Sequence, residues 1–210
     1  MTRTDAVELA LPFTGRWLVQ NSPASRVPSH GTALYGTSHA IDFVPVGDDD
    51  RSAPRTIASL IGTERPESFI GFGRPILSPI AGEVIAVHDG EPDHEARRSP
   101  LALIVYALSQ PSRIREGAPA IAGNHVVIRV PDAVVLIAHL RSGSVQVRTG
   151  QVVAVGAQLG ECGNSGNSTE PHVHVQVSTS LSEDARGIPL VFVRADGERG
   201  VPVNGEVVVV

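Results

Sequence analysis

The residues best equipped for chemistry crowd into one run, Gly163-Asn164-Ser165-Gly166-Asn167-Ser168-Thr169-Glu170-Pro171-His172-Val173-His174. A loop of turn-forming Gly, Asn and Ser leads directly into two histidines spaced two apart. On a strand, residues two apart project from the same face, so both imidazoles enter one groove. That pairing suits a mononuclear zinc site, in which one ring ligates the metal and the other acts on a water or a polarised carbonyl. A third histidine, His139, follows the apolar run Val134-Val135-Leu136-Ile137-Ala138, where a polar ring needs a reason to be. Asp42 sits inside Ala40-Ile41-Asp42-Phe43-Val44. A carboxylate in such a strand costs several kcal/mol unless it is paired, hydrogen-bonded or metal-bound.

The elements that must position these groups are strands. Valine-rich alternating runs recur between Gly, Pro and Asn turns, as in Gly82-Glu83-Val84-Ile85-Ala86-Val87 and Ser144-Val145-Gln146-Val147. Further strands are expected over 13–20, over 188–193, and on both sides of the Asn204-Gly205 turn. The short helical candidates are 56–61 and 101–108, the second of which reads equally well as a buried strand. Trp17, the only tryptophan, is expected to anchor the core rather than stack on substrate. With 210 residues, 41% of them hydrophobic, the chain is long enough for one all-β domain with a sizeable core.

At this point the chain resembles a family. Gly123-Asn124-His125-Val126-Val127-Ile128, Ala138-His139-Leu140, Val147-Arg148-Thr149-Gly150-Gln151-Val152-Val153 and the 163–177 run are together similar to the lysostaphin-type (LytM-like) zinc metallopeptidases. Upstream, the stretch from Gly73 to Val87 resembles the same family's paired strands. The resemblance covers about residues 30–180 and implies an all-β single domain of antiparallel sheets with a groove, the duplicated hybrid motif of that family. Residues 1–29 would form a lead-in and 181–210 flanking strands. Two insertions, about 47–72 and 89–122, are long enough to be functional loops. They would wall the groove and restrict access to short peptides.

The resemblance also implies roles. His174 and Asp42 would ligate Zn2+, while His139 and His172 would flank the attacking water as catalytic groups. The family's usual first ligand falls at Ser38, so that ligand must come from elsewhere. His39 lies three residues before Asp42 and would share its face only across a bulge. His30, in the turn-rich Pro28-Ser29-His30-Gly31, is the expected ligand. The implied activity is a zinc-dependent metalloendopeptidase hydrolysing peptidoglycan-type peptides or muropeptides through a zinc-activated water. The alternative is a metal-free, degenerate relative that binds peptides or regulates another cell-wall hydrolase.

Other classes fare poorly. The net charge of −5 carries no nucleic-acid footprint. All 17 basic residues are arginine, so similarity to biotinyl or lipoyl carriers is structural only, there being no lysine to carry the cofactor. There is no His-Glu-x-x-His run, so general-base work falls to a histidine. The lone Cys162 reads as a packed side chain, and 48–50 as a solvated acidic turn rather than a calcium loop. His88 and His94 read as exposed or solvated, and His125 as the start of a strand. No secretory leader and no apolar run of about 20 residues is visible, an address at odds with an extracytoplasmic substrate.

Overall fold

The computed structural model describes residues 6–99, 118–194 and 196–210. Among these, the strands are β1 (Val7–Leu9), β2 (Arg16–Gln20), β3 (Ile41–Pro45), β4 (Pro75–Leu77), β5 (Gly82–His88), β6 (Asn124–Val130), β7 (Ala133–Leu140), β8 (Val152–Val153), β9 (Gln158–Glu161), β10 (Val173–Ser178), β11 (Leu190–Val193), β12 (Arg199–Gly200) and β13 (Val207–Val209). Among the described residues, helix is confined to short pieces, α1 (Ile57–Ile61), α2 (Ala118–Ala122) and two 3-10 stretches. The all-β expectation therefore holds.

One sheet of eight strands, in the order β13-β2-β3-β10-β7-β6-β5-β8, dominates the molecule. Each of its neighbouring pairs is antiparallel. The pair β4-β9 and the set β1-β11-β12 form smaller sheets, and β1 and β11 are the one parallel pair among the described strands. Alternation sorts the side chains of the large sheet. Ile41 and Phe43 of β3, Val126 and Ile128 of β6, Val135 and Ile137 of β7, and Val173, Val175 and Val177 of β10 all enter the main core. The intervening residues, Asp42, Val127, Leu136, Ala138, His174 and Gln176, fall on the opposite face. That face is the groove floor. Trp17 is wholly buried in the main core and stacks on Phe13, with ring centroids 4.3 Å apart, so it is an anchor and not a substrate platform.

One expectation changes. Residues 144–147 are not a strand: the Asp89 carboxylate accepts hydrogen bonds from Gly143 N (2.7 Å) and Val145 N (3.1 Å), taking donors a ladder would need. Helix α1 lies where 56–61 predicts one, started by reciprocal bonds between Thr56 and Ser59 (Ser59 N to Thr56 Oγ1, 3.1 Å; Thr56 N to Ser59 Oγ, 3.0 Å). The other helical candidate, 101–108, lies outside the described residues.

Candidate metal centre

Register brings the first two groups together. His174 of β10 pairs directly with Asp42 of β3 on one side and with Ala138 of β7 on the other. Directly opposed residues on an antiparallel pair project from the same face with Cβ atoms about 5 Å apart. The His174 Nδ1 consequently lies 2.9 Å from Asp42 Oδ1. His30 arrives from the turn-rich segment before the 3-10 stretch Leu34–His39, its Nε2 3.0 Å from Asp42 Oδ2. One ligand atom from each of His30, Asp42 and His174 falls within 4.8 Å of the other two, a grouping able to hold a metal ion.

His39 stays apart from this group. It ends the 3-10 stretch before β3 begins, so no bulge connects it to Asp42. Burial lowers its pKa, partly offset by a hydrogen bond to the Gly187 backbone.

Each candidate ligand is held by a second contact on its far side. His174 Nε2 lies 3.2 Å from Gln176 Oε1, and the Gln176 amide nitrogen donates to the Tyr35 carbonyl at 2.7 Å, which fixes the oxygen toward the histidine. Ser29 Oγ donates to the Thr37 carbonyl (3.1 Å) and so accepts from His30 Nδ1 (3.0 Å). Asn21 Nδ2 donates to Asp42 Oδ2 at 2.8 Å. Outer contacts of this kind fix ring orientation and tautomer in metal sites. Their consequence here is electrostatic. Both nitrogens of His174, and both of His30, face acceptors, so the cluster demands positive charge between imidazole and carboxylate. A proton supplies it, or a metal ion in the proton's place; the donor set fits zinc, with a fourth position left open.

Burial alone would raise the carboxyl of Asp42, which is only 6% exposed. The charges of His30 and His172, with hydrogen bonds from His174 and His30, outweigh it and hold the group well below the usual carboxylate range. Asp42 is therefore ionised and ready to ligate.

The remaining two histidines complete the groove. His172 Nδ1 donates to the Glu170 carbonyl at 2.8 Å, which leaves Nε2 facing the cluster, 3.8 Å from Asp42 Oδ1. His139 Nδ1 donates to the Ser165 carbonyl at 2.9 Å, and its ring centroid lies 4.6 Å from that of His172. Burial pushes the His139 pKa well down, the nearby His172 and His174 add to this, and Asp42 and Ser165 only partly oppose it. It is a neutral imidazole at neutral pH.

How His139 comes to face the groove is not legible from alternation. Asn124 of β6 pairs with Leu140, but Val126 pairs with Ile137, so two steps on β6 oppose three on β7. One extra residue is a β-bulge. His139 takes φ 63° there, a left-handed conformation rare outside glycine and frequent at functional sites. Ala138 and His139 both turn to the groove, and Leu140 returns to the core.

The loop ahead of His172 is explained by close approach. A Cβ on Gly166, at φ 67°, would run into Gly123 and the Ile121 carbonyl (2.7 Å). Ser165 Oγ donates to the Leu140 carbonyl at 2.8 Å and accepts from Asn124 N at 3.0 Å. His94, expected to be solvated, instead puts Nε2 2.9 Å from the Gly166 carbonyl, and Asp93 accepts from Asn164 N at 2.6 Å. Residues 93 and 94 thus clamp the histidine loop. Ser52 reaches it as well, its Oγ donating to Glu170 Oε2 at 2.5 Å. His88 is half-buried, its ring stacked on that of His125, and His125 lines the groove. Cys162 is fully buried with its thiol pushed up by burial, so it is no nucleophile.

With this geometry in view, residues 99–185 match the model of peptidase family M23. The match spans less than half of the chain. The matched stretch contains His139, His172 and His174, whereas His30 and Asp42 lie outside it and join the site only through the fold. Among solved structures, the chain is similar to a mutant catalytic domain of the prophage-encoded M23 protein EnpA from Enterococcus faecalis, at 18% identity over 86% of this chain and 93% of that one, with a TM-score of 0.46. It is also similar to the catalytic domain of the antimicrobial peptidase lysostaphin from Staphylococcus simulans, at 17% identity over 73% and 84%, with a TM-score of 0.40. Helicobacter pylori Csd3 is matched at 15% identity over 85% of this chain but only 32% of its own, with a TM-score of 0.41. No curated protein matches the chain at the sequence level.

Proposed function

We propose that this protein is a zinc-dependent endopeptidase of the M23 type that hydrolyses peptide bonds in peptidoglycan-type peptides. The observation that carries the reading is the convergence of His30, Asp42 and His174 in the same groove as His139 and His172. The groove has a volume of about 510 Å³, ample for an extended peptide segment. The metal-free alternative rested on Ser38 standing at the family's usual ligand position, and the approach of His30 to Asp42 supports a complete site instead.

His30, Asp42 and His174 would hold the zinc. When bound, zinc supplies Lewis acidity to the scissile carbonyl and to the attacking water. The other steps belong to the chain's own residues. His139, neutral because it is buried, accepts the water's proton at Nε2, since its Nδ1–H is committed to Ser165. His172, its Nδ1–H donated to the Glu170 carbonyl, turns Nε2 to the groove and, when that nitrogen is protonated too, donates to the oxyanion of the tetrahedral species. Asn21, Ser29 and Gln176 hold the ligands. No helix among the described residues is long and apolar enough to cross a membrane.

The test is metal content and activity on one preparation. About one zinc per chain is expected by elemental analysis, with peptide cleavage lost in EDTA and restored by zinc. His174→Ala should lose both. Failure to take up zinc after reconstitution, or cleavage undiminished in His174→Ala, would sink the reading.

A further inference from the structure

We propose that the groove beside the metal ligands is a subsite for an aliphatic side chain, so that cleavage occurs next to an aliphatic residue rather than between two glycines. The inference rests on the peptidase reading above and names its substrate class more closely.

Immediately past the ligands the groove floor turns apolar. Ala138 is the cross-strand partner of His174, and Leu136 that of Gln176, two residues further along both strands. At about 3.4 Å per residue this places Leu136 roughly 7 Å beyond the His174 pair. Ala122 from α2 and Leu181 after β10 pack on the same patch, over Val127, forming a small cluster separate from the main core. Ala122, Leu136, Ala138 and Leu181 all line the groove together with His174 and His139. The apolar patch and the metal cluster are therefore two parts of one concavity.

The chemistry of the patch selects its occupant. None of its four residues carries a polar side-chain group. Gln176, the cross-strand partner of Leu136, is already engaged by His174, Tyr35 and Ser178. A charged or polar substrate side chain placed here would lose hydration without a partner. A glycine would leave Leu136 and Leu181 facing water. A branched aliphatic side chain fits both constraints, and the small Ala122 and Ala138 leave it room. Because Ala138 adjoins His139 and opposes His174, that side chain belongs to a residue within about one position of the scissile bond.

The test compares a glycine-only peptide with versions carrying leucine at each central position in turn. Two readouts are taken: kcat/KM with the zinc-loaded protein, and Kd by calorimetry with the metal-free protein. One leucine peptide should be favoured by roughly tenfold or more in both, the scale of a filled apolar pocket. Ala122→Leu should fill the subsite and abolish that preference. Leu181→Ala, which removes a wall, should weaken the preference too and decides the matter if Ala122→Leu fails to fold. Equal handling of all the peptides, or an Ala122→Leu protein that keeps the full leucine preference, overturns the proposal. If no peptide is cleaved but the metal-free protein still prefers leucine, the subsite stands and the peptidase reading falls.

Discussion

Replacing Gln176 by Leu isolates the contribution of a residue that holds the candidate ligand His174 without itself belonging to the ligand set. Gln176 is 2% exposed, and leucine matches it closely in volume, so the change removes hydrogen bonds without opening a large cavity. Two consequences follow from the geometry. The Tyr35 carbonyl loses its 2.7 Å donor, and His174 Nε2 loses the acceptor at 3.2 Å that holds its ring with Nδ1 toward Asp42. Loss of an outer contact to a ligating histidine typically lowers metal affinity about 10–100-fold, or roughly 1.4–2.7 kcal/mol. Global stability should fall by a comparable amount, about 1–3 kcal/mol, from the buried groups left unpaired. The assay is competition for zinc against a chelator of known affinity, with urea unfolding of the metal-free protein alongside. Zinc affinity within twofold of the parent would refute the argument that Gln176 orients His174. A loss as complete as that of His174→Ala would refute it from the other side, because an orienting residue weakens a site without deleting it.

Three further outcomes are expected. His30→Ala should abolish stoichiometric zinc binding and His39→Ala should leave it intact, measured as metal per chain after dialysis; the reverse result would move the ligand to His39 and require a bulge before Asp42. Gly166→Ala combines a left-handed φ of 67° with overlap against the Gly123 backbone, so unfolding free energy should drop by about 2–5 kcal/mol, and a drop below 1 kcal/mol would mean the loop does not pack closely there. For pH, His125 is held below its ordinary value by burial and by His88, against a hydrogen bond to Gly123, and so the unfolded chain takes up its proton first as pH falls. Stability of the metal-free protein should accordingly be flat from pH 8 to 7 and decline below about 6.5, by at most about 1.4 kcal/mol per pH unit for this group. His125→Gln should make that slope shallower, and an unchanged slope in the urea midpoints would rule the assignment out. Asp42 adds a slope of the same sign in a lower window, its depressed pKa stabilising the fold above the ordinary carboxylate value and ceasing to do so as pH falls through the folded one.

Much of the site was legible because strand periodicity is a strong constraint. The His-x-His spacing placed both rings on one face, and a lone carboxylate in an apolar strand demanded a partner that register then supplied. The same rule reaches Gln176, two residues beyond His174 on the same face, so its supporting role had a sequence signal that spacing alone could not interpret. Long-range facts were another matter. Nothing local says that Asn21 meets Asp42 or that Ser29 fixes His30, because those contacts depend on how β2 and the turn before β3 fold back. His94 misled for a related reason: among Asp93, Glu95 and two arginines it has the composition of a solvated loop. Its carbonyl and amide partners lie more than 60 residues away, in the histidine loop.

The bulge at His139 shows why the pattern carries no more than this. Strict alternation from Val135 and Ile137 would send His139 into the main core and Leu140 to the groove, the reverse of what is found. A single extra residue inverts the facing of everything after it, and it costs a left-handed, non-glycine backbone at the histidine itself. That cost is offset by what the bulge frees and what holds it. It aims the His139 Nε2 toward the metal ligands, the Ser165 carbonyl secures the ring, and Ser165 in turn bridges Leu140 and Asn124 across the irregularity. The Gly-Asn-Ser loop therefore does more than deliver His172 and His174. It braces the distortion that brings the third groove histidine to them, which ties the position of the proposed proton acceptor to the same segment that carries a candidate metal ligand.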